Sequence, residues 1–321
     1  MYNLGMILDT KKKTRKKTIA APQRHKPVRA VKYKNNPLRS GTRETGAEWN
    51  KSLPNPAFED KEHNIGLYKA NCIDILNRLA KDNPQGCVDM IFADPPYFLS
   101  NGGISCQAGK MVSVNKGEWD KSRGPDLNHE FNREWLVACQ KILKPNGTIW
   151  VSGTAHVIHS IGFAMQQLGF KTLNDITWVK PNPPPNLSCR YFTHATETII
   201  WAGKEVNSRH LFHYNEMRRM NHGKQMKSVW EILPPGYPEK EFGKHPTQKP
   251  LELLRRILLA SSNPGDVILD PFMGSGTTGV AAVRLNRKFI GIELEANYIN
   301  TAVKRLQQAV SLPHQEQQQL I

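Results

Sequence analysis

From residue 64 onward, short apolar runs alternate with segments whose apolar positions recur every three to four residues. The runs read as strands over Gly66–Ala70, Val88–Asp94, Gly147–Gly153, Lys171–Lys180, Glu197–Gly203, Asp266–Phe272 and Lys288–Leu294. The periodic segments read as helices, among them Ile73–Ala80, Asn132–Leu143, Pro250–Ala260 and Ala296–Gln308. Pro250 suits the first turn of its helix, where the missing N–H would be unpaired in any case. The alternation predicts a single α/β domain, a mostly parallel seven-stranded sheet with helices on both faces. Two stretches interrupt it, Phe98–Asn128 and about 205–243, and loops that long in a folded domain tend to handle substrate or to lack fixed structure.

Charge adds a second layer. The chain has 321 residues, with 44 Lys and Arg against 28 Asp and Glu, a net +16. Such an excess points to a polyanionic partner. Residues 1–60 hold 14 of those cations, 5 of the acids and a KKKTRKK run, and they show almost no apolar periodicity. A leader of that composition buries too little to offset its ordering entropy, so it reads as a basic, flexible extension with an electrostatic role or none. The domain is then expected over 64–312, followed by a polar tail at 313–321. No apolar run approaches the roughly 20 residues that span a bilayer, and the lysine-rich start lacks the apolar core of a secretory signal. Neither a membrane nor export is expected. The five cysteines, at 72, 87, 106, 139 and 189, form no CxxC pair, which argues for reduced thiols in a cytoplasmic setting and against a zinc knuckle. No HExxH or Cys/His cluster is present, so no metal is expected.

Two strand ends carry chemistry. The run VDMIFAD leads straight into Asp94-Pro95-Pro96-Tyr97, at the carboxyl end where open α/β sheets bind ligands. The two prolines fix φ and supply no N–H, which leaves the Asp94 and Pro95 carbonyls beside a carboxylate as acceptors for an amino group. An exocyclic base amine attacks poorly because its lone pair is delocalised, and aligned acceptors would favour its pyramidal form. Tyr97 offers a flat face for a base. The plain alternative is a proline turn with a capping aspartate.

The second strand end is VILDPFMGSGTTGVAA. Gly274 and Gly276 would let the backbone approach a ligand, and the helix starting near Thr277 would aim amides at an anionic group. The spacing fits neither a P-loop nor the full GxGxxG fingerprint. Asp270 and Asp94 would make the pocket negative and suit a ligand that also carries a cation, with Phe272 against its apolar or cationic part. S-adenosylmethionine meets both demands. Glu293 ends the next strand, about twenty residues on, where acids accept from ribose hydroxyls in nucleoside-binding folds.

With Asp94–Tyr97 ahead of Asp270–Thr278, and HPTQKP at 245–250 between them, the chain resembles the beta group of DNA amino-methyltransferases from restriction–modification systems. FADPPYFLSNGG, VNKGEWDK, PNLSCRYFTHATETIIWA and HPTQKP look closest to the adenine methylases that accompany HindIII-type and DpnII-type endonucleases. The resemblance spans roughly 64–310 and implies a Rossmann-like methyltransferase domain with circularly permuted motif order. It implies methylation of adenine N6, since DPPY rather than SPPY accompanies that chemistry. Asp94 and the Pro95 carbonyl would hold the amine, with Pro96 shaping the turn and Tyr97 stacking on the extruded base. S-adenosylmethionine would lie over Asp270, Phe272, Gly274, Ser275, Gly276 and Thr277, with Glu293 on its ribose. Lys249 would lie near its carboxylate end, and Asn71 and Cys72 near its adenine, although Cys72 reads equally as a small core residue. The basic leader departs from the family pattern.

An adenine N6 inside a duplex is closed to in-line attack, so the base must be flipped or unpaired. The segment 205–243 is the candidate target-recognition insertion, because Arg209, Arg218, Arg219, Lys224 and Lys227 interleave there with His210, Phe212, His213 and Tyr214. The active-site loop 98–128, with Lys110, Lys116, Trp119, Lys121 and Arg123, is expected to close over the base, and the stiff Asn182–Arg190 segment to wall the cleft with Arg190. The expected substrate is DNA, double-stranded with single strands also open. The alternatives are an RNA adenine-N6 methyltransferase and an inactive DNA-binding subunit. A cognate endonuclease, a monomer or homodimer, and a cytoplasmic, nucleoid-associated life in a bacterium or phage complete the expectation. GATC and AAGCTT are the family's suggestions for the site.

Overall fold

The computed structural model describes residues 52–100, 104–107, 110–113, 117–243 and 245–311, the two short segments by backbone alone. Most of the basic leader, Lys116, the side chain of Lys110 and the tail 313–321 lie outside the described residues. In chain order the elements are β1 (Phe58–Asp60), β2 (Ile65–Lys69), α1 (Cys72–Asp82), β3 (Val88–Ala93), β4 (Ile104–Gln107), β5 (Lys110–Ser113), α2 (Pro125–Ile142), β6 (Leu143–Gly153), α3 (Ile158–Gln167), β7 (Lys171–Val179), β8 (Thr196–Gly203), α4 (Tyr214–Met220), β9 (Val229–Glu231), α5 (Leu251–Ser261), β10 (Val267–Asp270), α6 (Thr277–Arg284), β11 (Lys288–Glu293) and α7 (Ala296–Ser311).

All seven expected strands form, in a nine-stranded sheet of order β1-β2-β11-β10-β3-β6-β8-β7-β9. The sheet is mixed. β8 runs against both neighbours and β1 against β2, while the other pairings are parallel. The two additional strands are three-residue edges, too short to declare themselves by alternation. β1 also brings Phe58–Asp60, which composition assigns to the leader, into the sheet ahead of the expected start at 64.

The central strands are apolar almost throughout because helices cover both faces. Ile91, Ala93, Ile149 and Val151 pack on one side with α1, α2 and α3, through Leu76, Leu79, Trp135, Cys139 and Ile161. Met90, Phe92 and Trp150 pack on the other with α4 to α7, through Met217, Leu254, Leu258, Val280 and Leu306. Trp150 stacks on Trp201 at 4.7 Å, and burying side chains of this size stabilises by about 2–3 kcal/mol each. Local rules hold the helix starts. Asn71 caps α1 by accepting from the Ile73 N–H at 2.9 Å, and α2 opens on Pro125. Pro250 is extended at ψ 144° and precedes α5 instead of joining its first turn. The interruption 205–243 is built, with α4 packed beside α5 and β9 closing the sheet edge.

Candidate active site

β10 lies parallel to β3, with Ile268 opposite Met90 and Leu269 opposite Ile91. Sequences 178 residues apart therefore end side by side. The turns beyond those two ends share one cavity of about 230 Å³, lined by Asp94, Pro95, Pro96 and Tyr97 from one strand end and by Phe272 and Gly274 from the other. Asn71, Cys72 and Glu293 also line it, and Trp119, Phe131 and Tyr298 supply aromatic wall.

Asp94 is not an idle acceptor. Its Oδ1 accepts from the Tyr97 hydroxyl at 2.6 Å, and its Oδ2 accepts from the Lys249 ammonium. Lys249 also lies 3.6 Å from Glu197 Oε2, and Glu197 Oε1 accepts from Lys180 at 2.5 Å. Burial pushes the Asp94 carboxyl up and the Glu197 charge adds to it, against the pull of Lys249. Burial alone would raise Glu197 too, yet Lys249 and Lys180 hold it down to about 2. The expectation put Lys249 near a cofactor carboxylate; the structure puts its ammonium between two protein carboxylates. Sequence reading missed Glu197 and Lys180, although an acid inside the apolar strand TETIIWAG was a visible signal of a buried charge.

The loop after Tyr97 is clamped by one carboxylate. Asp120 is fully buried, and its Oδ1 accepts the Tyr97 and Phe98 amides at 2.9 and 2.8 Å. Its Oδ2 accepts the Leu99 amide at 3.2 Å and the Ser100 hydroxyl at 2.8 Å. Four donors on one side chain fix the backbone from which the Tyr97 ring projects, and the ring's hydroxyl is held in turn by Asp94. Nothing in the sequence around Asp120 marks it for this role. Neighbouring Trp119 stacks near His245 at 6.5 Å, and His245 meets Tyr298 at 4.2 Å, so the loop's end leans on the HPTQKP segment.

The glycine turn divides its labour. Gly274 has φ +51° and lines the cavity, and a Cβ there would stand 3.0 Å from His245 Nε2. Gly276, at φ +79°, caps α6, and a Cβ there would meet the Ala302 methyl at 2.8 Å. It serves helix packing, away from the cavity wall. Asp270 accepts the Phe272 amide at 3.0 Å and the Thr278 hydroxyl at 2.5 Å, bracing the turn from within. Burial pushes its carboxyl up to about 7. Ser275 donates to Gln248, and buried Arg305 donates to the Ser275 carbonyl and to the Ser275 and Thr277 hydroxyls at 2.8–3.1 Å. Those hydroxyls are thereby committed to the protein. Arg305 falls on the buried stripe of α7 with Ala302, Leu306 and Ala309, a position where a charge signals an internal partner. Glu293 accepts the Gly274 amide at 2.9 Å and the Leu294 and Glu295 amides at 2.8 and 2.9 Å, while still facing the cavity. Phe272 is held by the edge of Trp135 at 5.4 Å. Burial pushes the Cys72 thiol up to about 12, so it faces the cavity neutral.

The candidate DNA contacts separate by height on the sheet. Val179 pairs with Thr196 and Gly153 with Thr198, at the end where Asp94 emerges. The β7–β8 loop, with exposed Arg190, therefore stands on the catalytic rim. Arg209 follows Gly203 at the opposite end and donates its amide to Asn146 there. Arg218 is tied to the Gly223 carbonyl and Arg219 to Glu216. Exposed Lys224 and Lys227 return toward the rim with β9, whose Val229 sits opposite Thr177. Arg123 is exposed just ahead of α2.

A family described as DNA methylase matches residues 88–304. The chain is 58% identical over 235 residues to the type II methyltransferase M2.DpnII of Streptococcus pneumoniae, covering 73% of this chain and 87% of that one. It is 55% identical over 250 residues to M2.LlaDCHI of Lactococcus lactis subsp. cremoris, covering 78% and 91%. Among solved structures, the M1.HpyAVI complex with SAM superposes with a TM-score of 0.58 at 32% identity, covering 75% of this chain and 98% of that one. The cytosine-N4-specific PvuII DNA methyltransferase, at 18% identity and TM-score 0.60 over 84% and 94%, shares the fold.

Proposed function

The chain belongs to the DNA methylase family, and from that premise we propose that it transfers the methyl group of S-adenosylmethionine to adenine N6 in DNA, as the modification member of a restriction–modification system. The observation that carries this reading is the shared cavity: the amine-accepting turn at Asp94–Tyr97 and the glycine turn at Gly274 open into the same space. The residues present fit the cofactor. A turn where a Cβ would crowd His245, an acid with hydroxyl-accepting capacity and an aromatic wall match its backbone-bound, ribose and apolar parts. Glu293, Phe272, Gly274, Asn71 and Cys72 would hold it, with Asp270, Ser275, Gly276 and Thr277 shaping the turn behind. When bound, the cofactor supplies a methyl group already activated on a positively charged sulfur, so alignment is the protein's task.

The chain's residues perform that alignment. The adenine amine donates to Asp94 Oδ1 and the Pro95 carbonyl, sharing Oδ1 with the Tyr97 hydroxyl that occupies it in the free protein. Two acceptors on one face draw the amine toward tetrahedral geometry and bring its lone pair to the opposite face. Asp120 fixes Tyr97 so that its ring presents a stacking face. Trp119, Phe131 and Phe272 exclude water from the cavity. Arg190 on the rim, with Lys224, Lys227 and Arg123, contacts the phosphates, while Arg209 at the far end of the sheet is set apart from that role. Adenine is favoured over cytosine by the DPPY turn, and the type II methyltransferase M2.DpnII is a relative that supports a DNA target. The enzyme works in the cytoplasm beside an endonuclease of the same specificity.

The test is nucleoside analysis after incubation with the methyl donor and matched DNA and RNA duplexes. N6-methyladenine in DNA is expected; N4-methylcytosine, or transfer confined to RNA, would overturn the reading. Asp94→Ala should lower transfer by at least about 100-fold while S-adenosylmethionine still binds.

A further inference from the structure

Four charged side chains from four separate segments meet below the Asp94–Tyr97 turn. Asp94 follows β3, Lys180 follows β7, Glu197 lies in β8 and Lys249 precedes α5. Their side chains are 12%, 23%, 9% and 6% exposed, so three of the four are almost wholly withdrawn from water. The contacts form a line: Asp94 to Lys249, Lys249 to Glu197 at 3.6 Å, and Glu197 to Lys180 at 2.5 Å. The Tyr97 hydroxyl lies 3.3 Å from Glu197 Oε2, and the Ser152 hydroxyl lies 3.4 Å from the same oxygen. Two anions and two cations sum to zero.

Amine capture uses Asp94 and the Pro95 carbonyl, and stacking of the base uses Tyr97. Neither by itself requires Glu197 or Lys180, and burying an extra ion pair is no cheaper than packing the space with apolar side chains. The pair has a consequence for Asp94. With Glu197 absent, the Lys249 ammonium would have Asp94 as its only carboxylate partner among the described residues, and would draw harder on the carboxylate whose Oδ2 already accepts from it. The site would also hold a net positive charge where a cationic methyl donor must bind, and like charges in a site of low dielectric repel strongly.

We propose that Glu197, steadied by Lys180, is a positioning residue that shares the Lys249 ammonium, keeps Asp94 aimed at the incoming amine and balances the charge of the site for a sulfonium donor. The inference rests on the methyl-transfer reading above. It predicts a preference that tracks ligand charge: Glu197 matters for S-adenosylmethionine, which carries the sulfonium, and hardly at all for S-adenosylhomocysteine, the neutral thioether of nearly the same shape.

Titration calorimetry of both ligands on the full chain reads this directly. Glu197→Gln should weaken S-adenosylmethionine about tenfold and change S-adenosylhomocysteine less than about twofold, a split worth roughly 1.4 kcal/mol. Lys180→Met should shift the ratio of the two affinities the other way. The Glu197→Gln, Lys180→Met double variant restores neutrality and should restore the ratio, and Glu197→Asp should recover much of it. Equal weakening of both ligands, a ratio unmoved in Lys180→Met, or a double variant no better than Glu197→Gln would each overturn the proposal. Should Glu197→Gln fail to fold, the sign of the Lys180→Met shift decides alone. A wild-type protein that binds neither ligand defeats the methyl-transfer reading; one that binds both and transfers methyl while Glu197→Gln matches it defeats only this inference.

Discussion

Asp270 is pulled two ways. Its hydrogen bonds from Phe272 and Thr278 favour the carboxylate, while full burial favours the acid, and burial prevails. Because the folded carboxyl is raised from 3.8 to about 7, the native chain holds a proton that the unfolded chain releases. The resulting stabilisation is complete below about pH 4 and is lost as pH rises to 7. Asp270→Asn keeps the size and stays neutral. Urea unfolding at pH 5 and pH 8 should therefore show wild type losing roughly 2–4 kcal/mol relative to the variant across that interval; a constant difference would refute the raised value. Tyr97 offers a second test at this scale. Tyr97→Phe removes the hydroxyl bond to Asp94 but keeps the ring and should lower transfer about tenfold, as expected for one lost bond to a charged group. Tyr97→Ala removes the ring as well and should cost far more, with S-adenosylmethionine affinity nearly unchanged in both.

Among the elements, the glycine turn shows how neighbouring residues of one type separate by function. Gly276→Ala forces a Cβ against Ala302 at a φ that disfavours it, so thermal unfolding should reveal a loss of about 1–3 kcal/mol, with ligand affinity per folded molecule preserved. Gly274→Ala crowds the cavity wall at His245 and should reverse the pattern, weakening S-adenosylmethionine more than stability. The two glycines look alike in the sequence, because what distinguishes them is contact with α7 or with the cavity. The seven expected strands were legible because doubly covered strands such as VDMIFA and KFIGIE are mostly apolar. Helix α3 was not, since its IGFAM core matches a buried strand as readily as a helix. The motif turns announced themselves by composition, whereas Asp120 and Lys180 act through contacts with residues far away in sequence, and local pattern carries no trace of those.

For the whole molecule, positive charge is concentrated at the start of the chain, ahead of the described residues. Residues 1–50 carry 13 Lys and Arg, nearly a third of the total of 44. Each phosphate neutralised by a cation adds about 0.9 to the slope of log affinity against log salt. Removing residues 1–50 should therefore flatten that slope by several units in filter-binding or anisotropy titrations, while methyl transfer at saturating DNA and low salt persists. An unchanged slope would confine the DNA grip to the chain after residue 50.

The strand order also bears on how the chain comes into being. β10 and β11 occupy the middle of the sheet, between β2 and β3, yet they are among the last segments to leave the ribosome. Until residue 293 has emerged, the nascent polypeptide has a missing centre and its two reactive turns cannot meet. Activity is thus withheld from any nascent chain that stops before these strands, and late insertion of a central parallel pair joined through α6 makes slow maturation, with a need for chaperone shelter, the natural expectation for this arrangement.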